Sequence, residues 1–396
     1  MHRSFLFAPL ASILIVIGAY FLLPKILPAT YRSDHLQNVA TAVTAGEIGD
    51  RETEKGEEVA PPFVATHLKT PEAVKALYLT SWVSGVPKLR NHVISMIEKT
   101  EANAVVIDIK DYTGKISYVV SDPELAKIGS VENRIPDLRE LIADLHTKNI
   151  YVIGRVAVFQ DPYLITKYPE EAVKKSSDKN SNWKDRKGIS WIDAGSLHAW
   201  EYAVAIGKDA YSQGFDEINY DYVRFPSDGN MQDIYYPISD GKPKHEVLRS
   251  FFEHLRTSFE GSPIITSLDL FGMTATVTDD MGIGQVLEDA LPNVDFVDPM
   301  VYPSHFPPTW NGFKNPADHP YETIKITMDS AVARAKAMNI DPLKIRPWLQ
   351  DFDLGATYTK EMVQAQIKAT YDAGLTSWLM WDPANTYTPT AFLPAE

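Results

Sequence analysis

A (β/α)8 TIM barrel is the fold this sequence predicts for residues 71–396, and three observations predict it. Short apolar runs alternate with amphipathic stretches along the chain. The runs number eight, the count that closes such a barrel. Several are apolar nearly throughout, as parallel strands covered by helices must be. A doubly wound open sheet, the alternative α/β fold, often opens on a glycine-rich phosphate turn, and none follows the first run.

The strands are expected at 76–82 (ALYLTSW), 104–111 (AVVIDIKD), 151–159 (YVIGRVAVF) and 217–225 (EINYDYVRF), then at 264–272 (IITSLDLFG), 295–303 (DFVDPMVYP), 345–352 (IRPWLQDF) and 377–383 (SWLMWDP). Helices are expected between them at 88–100, 135–148, 197–212, 246–259, 321–338 and 360–372. In the second of these, Leu138, Leu141, Ile142 and Leu145 fall on one face at helical spacing. The fourth strand starts just after Gly214, a helix stop, and Pro226 ends its pairing. Its alternation puts Glu217, Asn219, Asp221, Val223 and Phe225 on one face and Ile218, Tyr220, Tyr222 and Arg224 on the other.

Residues 4–23 carry no charge, and about 20 residues suffice to cross a ~30 Å hydrocarbon core. Cleavable signal peptides have a shorter apolar region, ~7–15 residues, and Pro28-Ala29-Thr30 is a poor cleavage site. Residues 1–25 are therefore read as an uncleaved signal-anchor, with a cleaved signal as the second reading. Either puts the barrel on the extracytoplasmic side, held at the membrane or secreted. Residues 26–70 are polar, aperiodic and acidic in the middle, which reads as a flexible linker.

Hydrophobic residues make up 44% of the chain and charged residues 23%, a globular composition. The net charge of −14 argues against a nucleic-acid partner and suits a neutral or cationic ligand. With no cysteine, disulfides, thiolate catalysis and cysteine-ligated zinc are excluded. No GxSxG elbow, Walker loop, HExxH or EF-hand loop is present, so neither a cofactor nor a metal is expected.

Carboxylates recur where the strands end. Asp108 and Asp111 close the second, Asp221 the fourth and Asp269 the fifth; Asp298 lies in the sixth. Asp351 closes the seventh and Asp382 the eighth, with Arg155, Arg224, Arg346 and Gln350 nearby. In a barrel the strand C-termini form the mouth where chemistry occurs. One such Asp alone is read as a helix cap or an arginine partner. A ring of them raises some pKa values by repulsion and desolvation. An un-ionised carboxylic acid beside an ionised one is the apparatus of glycoside hydrolysis. Long loops after the third, fourth and sixth strands carry Trp183, Trp191, Tyr235, Tyr236, His305 and Trp310, aromatic faces on which sugars stack.

The clustered motifs ALYLTSW, VVIDIKDYTGKISY, GRVAVFQDP, FDEINYDYVRFPSDG, SLDLFG, VDPMVYPSHF, RPWLQDF and WLMWDPANTY resemble those of one bacterial family over about residues 74–390. It is a former domain of unknown function assigned as a TIM-barrel glycoside hydrolase, distantly similar to α-amylase-like barrels. That resemblance implies cleavage of glycosidic bonds in a polysaccharide or cell-envelope glycan. It implies a nucleophile or base at Asp221 and a general acid at Asp269, where amylase-type enzymes place a Glu. Their seventh-strand Asp corresponds loosely to Asp351. Arg224 follows Asp221 by three residues, whereas the amylase-type arginine precedes its Asp by two. On this reading Arg224 orients Asp221. Asp298, Asp108, Asp111, Tyr302, Trp348, Gln350, Trp381 and Asp382 complete the expected substrate contacts. Two other readings stay open: a glycan-binding barrel without turnover that scaffolds envelope assembly, and a metal-dependent polysaccharide deacetylase or lyase.

Overall fold

Eight parallel strands pair in chain order and close into a barrel in a computed structural model that describes residues 63–395. The expected signal-anchor and linker residues up to 62 lie outside the described residues. The order is β1 (Lys75–Leu79), α1 (Ser81–Ser84), α2 (Pro87–Ile97), β2 (Ala104–Lys110), α3 (Pro123–Ile128), α4 (Leu138–Thr147) and β3 (Tyr151–Ala157). There follow α5 (Leu197–Gln213), β4 (Glu217–Asp221), α6 (Lys244–Phe259), β5 (Ile265–Phe271), α7 (Leu287–Ala290) and β6 (Phe296–Met300). The chain ends with α8 (Pro320–Ala337), β7 (Trp348–Gln350), α9 (Lys360–Asp372) and β8 (Trp378–Trp381). Closure is made by β1 on β8, where Ala76 pairs with Leu379 and Leu77 with Met380.

Strand alternation divides the side chains into two cores. Outward residues such as Val105, Ile107, Ile218, Tyr220 and Leu268 pack under the helices. The buried stripe of α4, Leu138, Leu141, Ile142 and Leu145, is one such cover. Inward residues Ala76, Val106, Tyr151, Ile153 and Leu379 form a second, smaller core inside the barrel. Helix ends follow local chemistry. Ser196 accepts from Ala199 N–H to start α5, and Gly214 stops it in the left-handed region.

Two local readings change. The first strand ends at Leu79, because Thr80 accepts from Val83 N–H and starts the helical turn α1, so Trp82 leaves the sheet. Trp183 and Trp191, expected to offer stacking faces, are each 1% exposed. They fasten loops instead: Trp183 Nε1 donates to Asn230 O and Trp191 Nε1 to Asp185 Oδ2. The loops after β3 and β4 are further joined by reciprocal backbone hydrogen bonds between Lys174 and Tyr235.

Residues 63–70 form no helix or strand, yet they lie against the barrel end opposite the mouth. Leu68 N–H donates to Asp216 at 2.7 Å, one residue before β4. Among the described residues no helix is long and apolar enough to cross a membrane.

Candidate active site

Three inward strands, β2, β4 and β5, end their C-terminal halves in Asp108, Asp221 and Asp269. An arginine on β3, Arg155, stands among them. Its Nη1 donates to Asp108 Oδ1 at 2.7 Å, its Nη2 to Asp221 Oδ2, and its Nε reaches Asp269 Oδ2 at 3.3 Å. One guanidinium thus bridges acids from three strands. All three carboxyls are buried, with Asp221 4% exposed.

Each acid has further donors. Asp108 Oδ2 accepts from Tyr78 on β1 at 2.5 Å. Asp221 Oδ1 accepts from the N–H of Tyr222 at 2.5 Å. Tyr222 itself adopts φ +54°, a left-handed conformation costly for an aromatic residue. Asp269 Oδ1 accepts from Trp348 Nε1 at 2.7 Å and Asn219 Nδ2 at 2.9 Å.

Below this layer lies a second arginine, Arg346, fully buried. Its Nε and Nη2 grip Asp298 at 2.9 and 3.0 Å, and its Nη1 and Nη2 grip Glu217 at 3.0 and 2.5 Å. Asn219 joins the layers, since its Nδ2 also lies 3.1 Å from Asp298 Oδ2. Five carboxyl groups therefore share two guanidinia inside the barrel. Burial, and then the charge of Asp221, push the Asp269 carboxyl well above the usual range, with Arg155 opposing. Burial also raises Asp108, and lifts Asp298 to about 6 against the pull of Arg346. Beside the acids, Tyr302 and Trp381 lie 5.1 Å apart at 30°, with Phe352 edge-on to both. Burial and then the Asp269 charge raise the Tyr302 hydroxyl.

Against this geometry, one family model, described as "Putative glycosyl hydrolase domain", matches residues 76–387. The chain belongs to this family. The glycoside hydrolase domain of PgaB (BpsB) from Bordetella bronchiseptica shares the fold with TM-score 0.58 and 15% identity, over 79% of this chain and 95% of that one. A hypothetical protein from Ruminiclostridium thermocellum ATCC 27405 is 33% identical over 52% of this chain and 98% of that one, with TM-score 0.44. No curated protein matches.

Of the residues that sequence singled out in this glycosyl hydrolase domain, Asp221, Asp269, Asp108, Trp348 and Tyr302 meet at the mouth. Others do different work. Arg224 does not hold Asp221; it donates to Phe225 O and Ser227 and stacks between Trp191 and Phe271. The left-handed turn at Tyr222 takes the chain out of strand alternation before Arg224 is reached. Asp351 is turned to the C-terminal segment, where it accepts from Thr388 N–H at 2.7 Å and its hydroxyl at 2.9 Å. Asp382 accepts from the N–H groups of Ala384 and Thr386 and so shapes the loop after β8. Gln350 accepts from Ser304 and donates to Phe352 O, joining two mouth loops. Asp298 is sealed beneath the mouth by Arg346, and Asp111 pairs with Arg134 at 2.6 Å.

The residues with no assigned role beforehand are Arg155, Tyr78, Asn219, Glu217 and Arg346. Their signal was present as polar side chains at alternate positions of otherwise apolar strands. An arginine buried in GRVAVF requires carboxylate partners. Among the described residues no group of three or more His, Asp or Glu side chains is arranged to hold a metal.

Proposed function

We propose that the barrel hydrolyses glycosidic bonds in a polysaccharide or cell-envelope glycan, with Asp269 as general acid and Asp221 as nucleophile or base. The observation that supports this most is the Arg155 bridge, which holds a raised-pKa carboxyl and a second carboxylate on one guanidinium. Asp269 Oδ1 is saturated by two donors, whereas Oδ2 has only the long contact to Arg155, so Oδ2 carries the proton. In this reading Asp269 protonates the leaving oxygen while Asp221 attacks the anomeric carbon or activates water. Trp381, half-buried beside Tyr302, offers a ring to the sugar at the point of cleavage. The uncharged run 4–23 supports a barrel tethered at, or released from, the outer side of a membrane.

A glycan-binding barrel without turnover is the second reading. It is favoured by the near-complete burial of Asp221, both of whose oxygens already hold donors. Incubating the full chain with a glycan panel, with product analysis and a chelator control, separates the two. Released oligosaccharides that persist with chelator support hydrolysis; saturable binding with no product supports the second reading.

A further inference from the structure

Of the eight tryptophans in the chain, Trp82 alone is exposed, at 58%. It follows β1 at the mouth end of the barrel, and its ring packs on Arg134, apart from the Arg155 acids and the aromatic group at Tyr302. Its setting is built rather than incidental. The guanidinium carbon of Arg134 lies 4.3 Å from the ring centroid, so one face of the indole is occupied while more than half of the residue stays exposed. The Arg134 side chain is itself 3% exposed and held from four sides. It donates to Asp111 Oδ2 at 2.6 Å, Glu132 Oε1 at 3.0 Å, Ser81 Oγ at 3.1 Å and Thr113 Oγ1 at 3.1 Å. The turn after Trp82 packs directly on the same residue, since a Cβ at Gly85 would stand 1.9 Å from Arg134 O. Tyr112, beside Asp111, adds a second exposed ring at 38%.

We propose that Trp82 is a sugar-stacking platform: a binding subsite, remote from the cleavage point, for one hexopyranose ring of the glycan chain. The inference rests on the glycan reading above and extends it to the rim between β1 and β2. Tyr78 on β1 and Asp108 on β2 connect that rim to Arg155, so a chain with its scissile bond at Asp221 and Asp269 crosses the mouth toward Trp82. A flat, weakly polar sugar face suits the open side of an indole whose orientation is already fixed. Holding the ring in place beforehand removes the ordering cost that a mobile surface tryptophan carries. It also gives Asp111 and Arg134 a purpose, because their buried ion pair is the base on which the ring is set.

The test uses acrylamide quenching of tryptophan fluorescence in the full chain and in its Asp221→Asn variant. Cellohexaose, chitohexaose and hexaglucosamine are the probes. The part of the quenchable fraction that Trp82→Leu removes reports Trp82, since half-buried Trp310 and Trp381 supply the rest. At least one hexasaccharide is expected to protect it, and Trp82→Leu to weaken that ligand about tenfold or more, while Trp82→Phe keeps most of the affinity. Equal affinity in Trp82→Leu, or no protection by any of the three, overturns the proposal. So does protection that grows with protein concentration without sugar, which assigns the ring to a second copy. Binding and quenching are read in Asp221→Asn as well. Protection there, together with unimpaired turnover, sinks the Asp221 assignment while the platform stands.

Discussion

The indole Nε1 of Trp348 on β7 donates to Asp269 Oδ1 on β5 at 2.7 Å, across the floor of the barrel mouth. With Asn219 on the same oxygen, it leaves Oδ2 as the only atom of that carboxyl facing Arg155.

Trp348→Phe removes a donor that favours the ionised form of Asp269, so its already raised pKa rises further. An acid that must be protonated then stays active to higher pH. The basic limb of the rate–pH profile should move upward, and stability should fall by about 1 kcal/mol for the lost hydrogen bond. An unmoved limb would separate Asp269 from the proton-transfer step.

Arg155→Lys keeps the charge but cannot bridge three carboxyls from three strands. The account expects kcat to fall by about 100-fold or more with a smaller change in KM, since positioning rather than substrate contact is lost. Steady-state kinetics at several pH values check this. A change confined to KM would make Arg155 a substrate contact instead.

Arg346→Met leaves Glu217 and Asp298 buried without their shared cation. Removing one partner from a buried ion network costs about 3–5 kcal/mol. Denaturant unfolding should show a loss of that size, or no soluble protein. Arg346→Lys should recover little of it, because an ammonium cannot form the paired bonds to both acids.

Asp382 ties stability to pH. Burial, only partly offset by the N–H donors of Ala384 and Thr386, raises its pKa from 3.8 to about 6. A carboxyl whose folded pKa is raised holds more protons when folded than when unfolded between those values. Its stabilising contribution is therefore complete below about 4 and lost as pH rises through about 6. Relative to Asp382→Asn, the melting temperature of the native chain should decline across that window and level off above it. Parallel melting curves for the two proteins would contradict the shift.

How much of this could be read beforehand depends on what each residue's neighbours decide. The barrel was readable because strand and helix periods are local, and α9 runs over Lys360–Asp372 as the spacing predicts. Asp221 and Asp269 were readable as strand-end acids. The role of Arg155 was not, since it depends on β2, β4 and β5 arriving around β3, a long-range fact. Arg224 was misread because the amylase-type resemblance assigned it to Asp221, although alternation had set it on the opposite face; its guanidinium stacks between Trp191 and Phe271. Trp183 and Trp191 share the loops with polar neighbours, and only packing distinguishes a ring that fastens loops from one that binds sugar. Trp82 was hidden inside a run read as strand through residue 82, whereas Thr80 ends the strand by capping a helical turn.

The most direct measurement is turnover by Asp221→Asn on a glycan that the native chain cleaves. The substitution keeps one acceptor oxygen, for Arg155 or for Tyr222 N–H but not for both, and removes the negative charge of Asp221. The account predicts that product formation falls by about 1,000-fold or more in a chain that still folds and melts cooperatively. Product release at the native rate by a folded Asp221→Asn chain would contradict it.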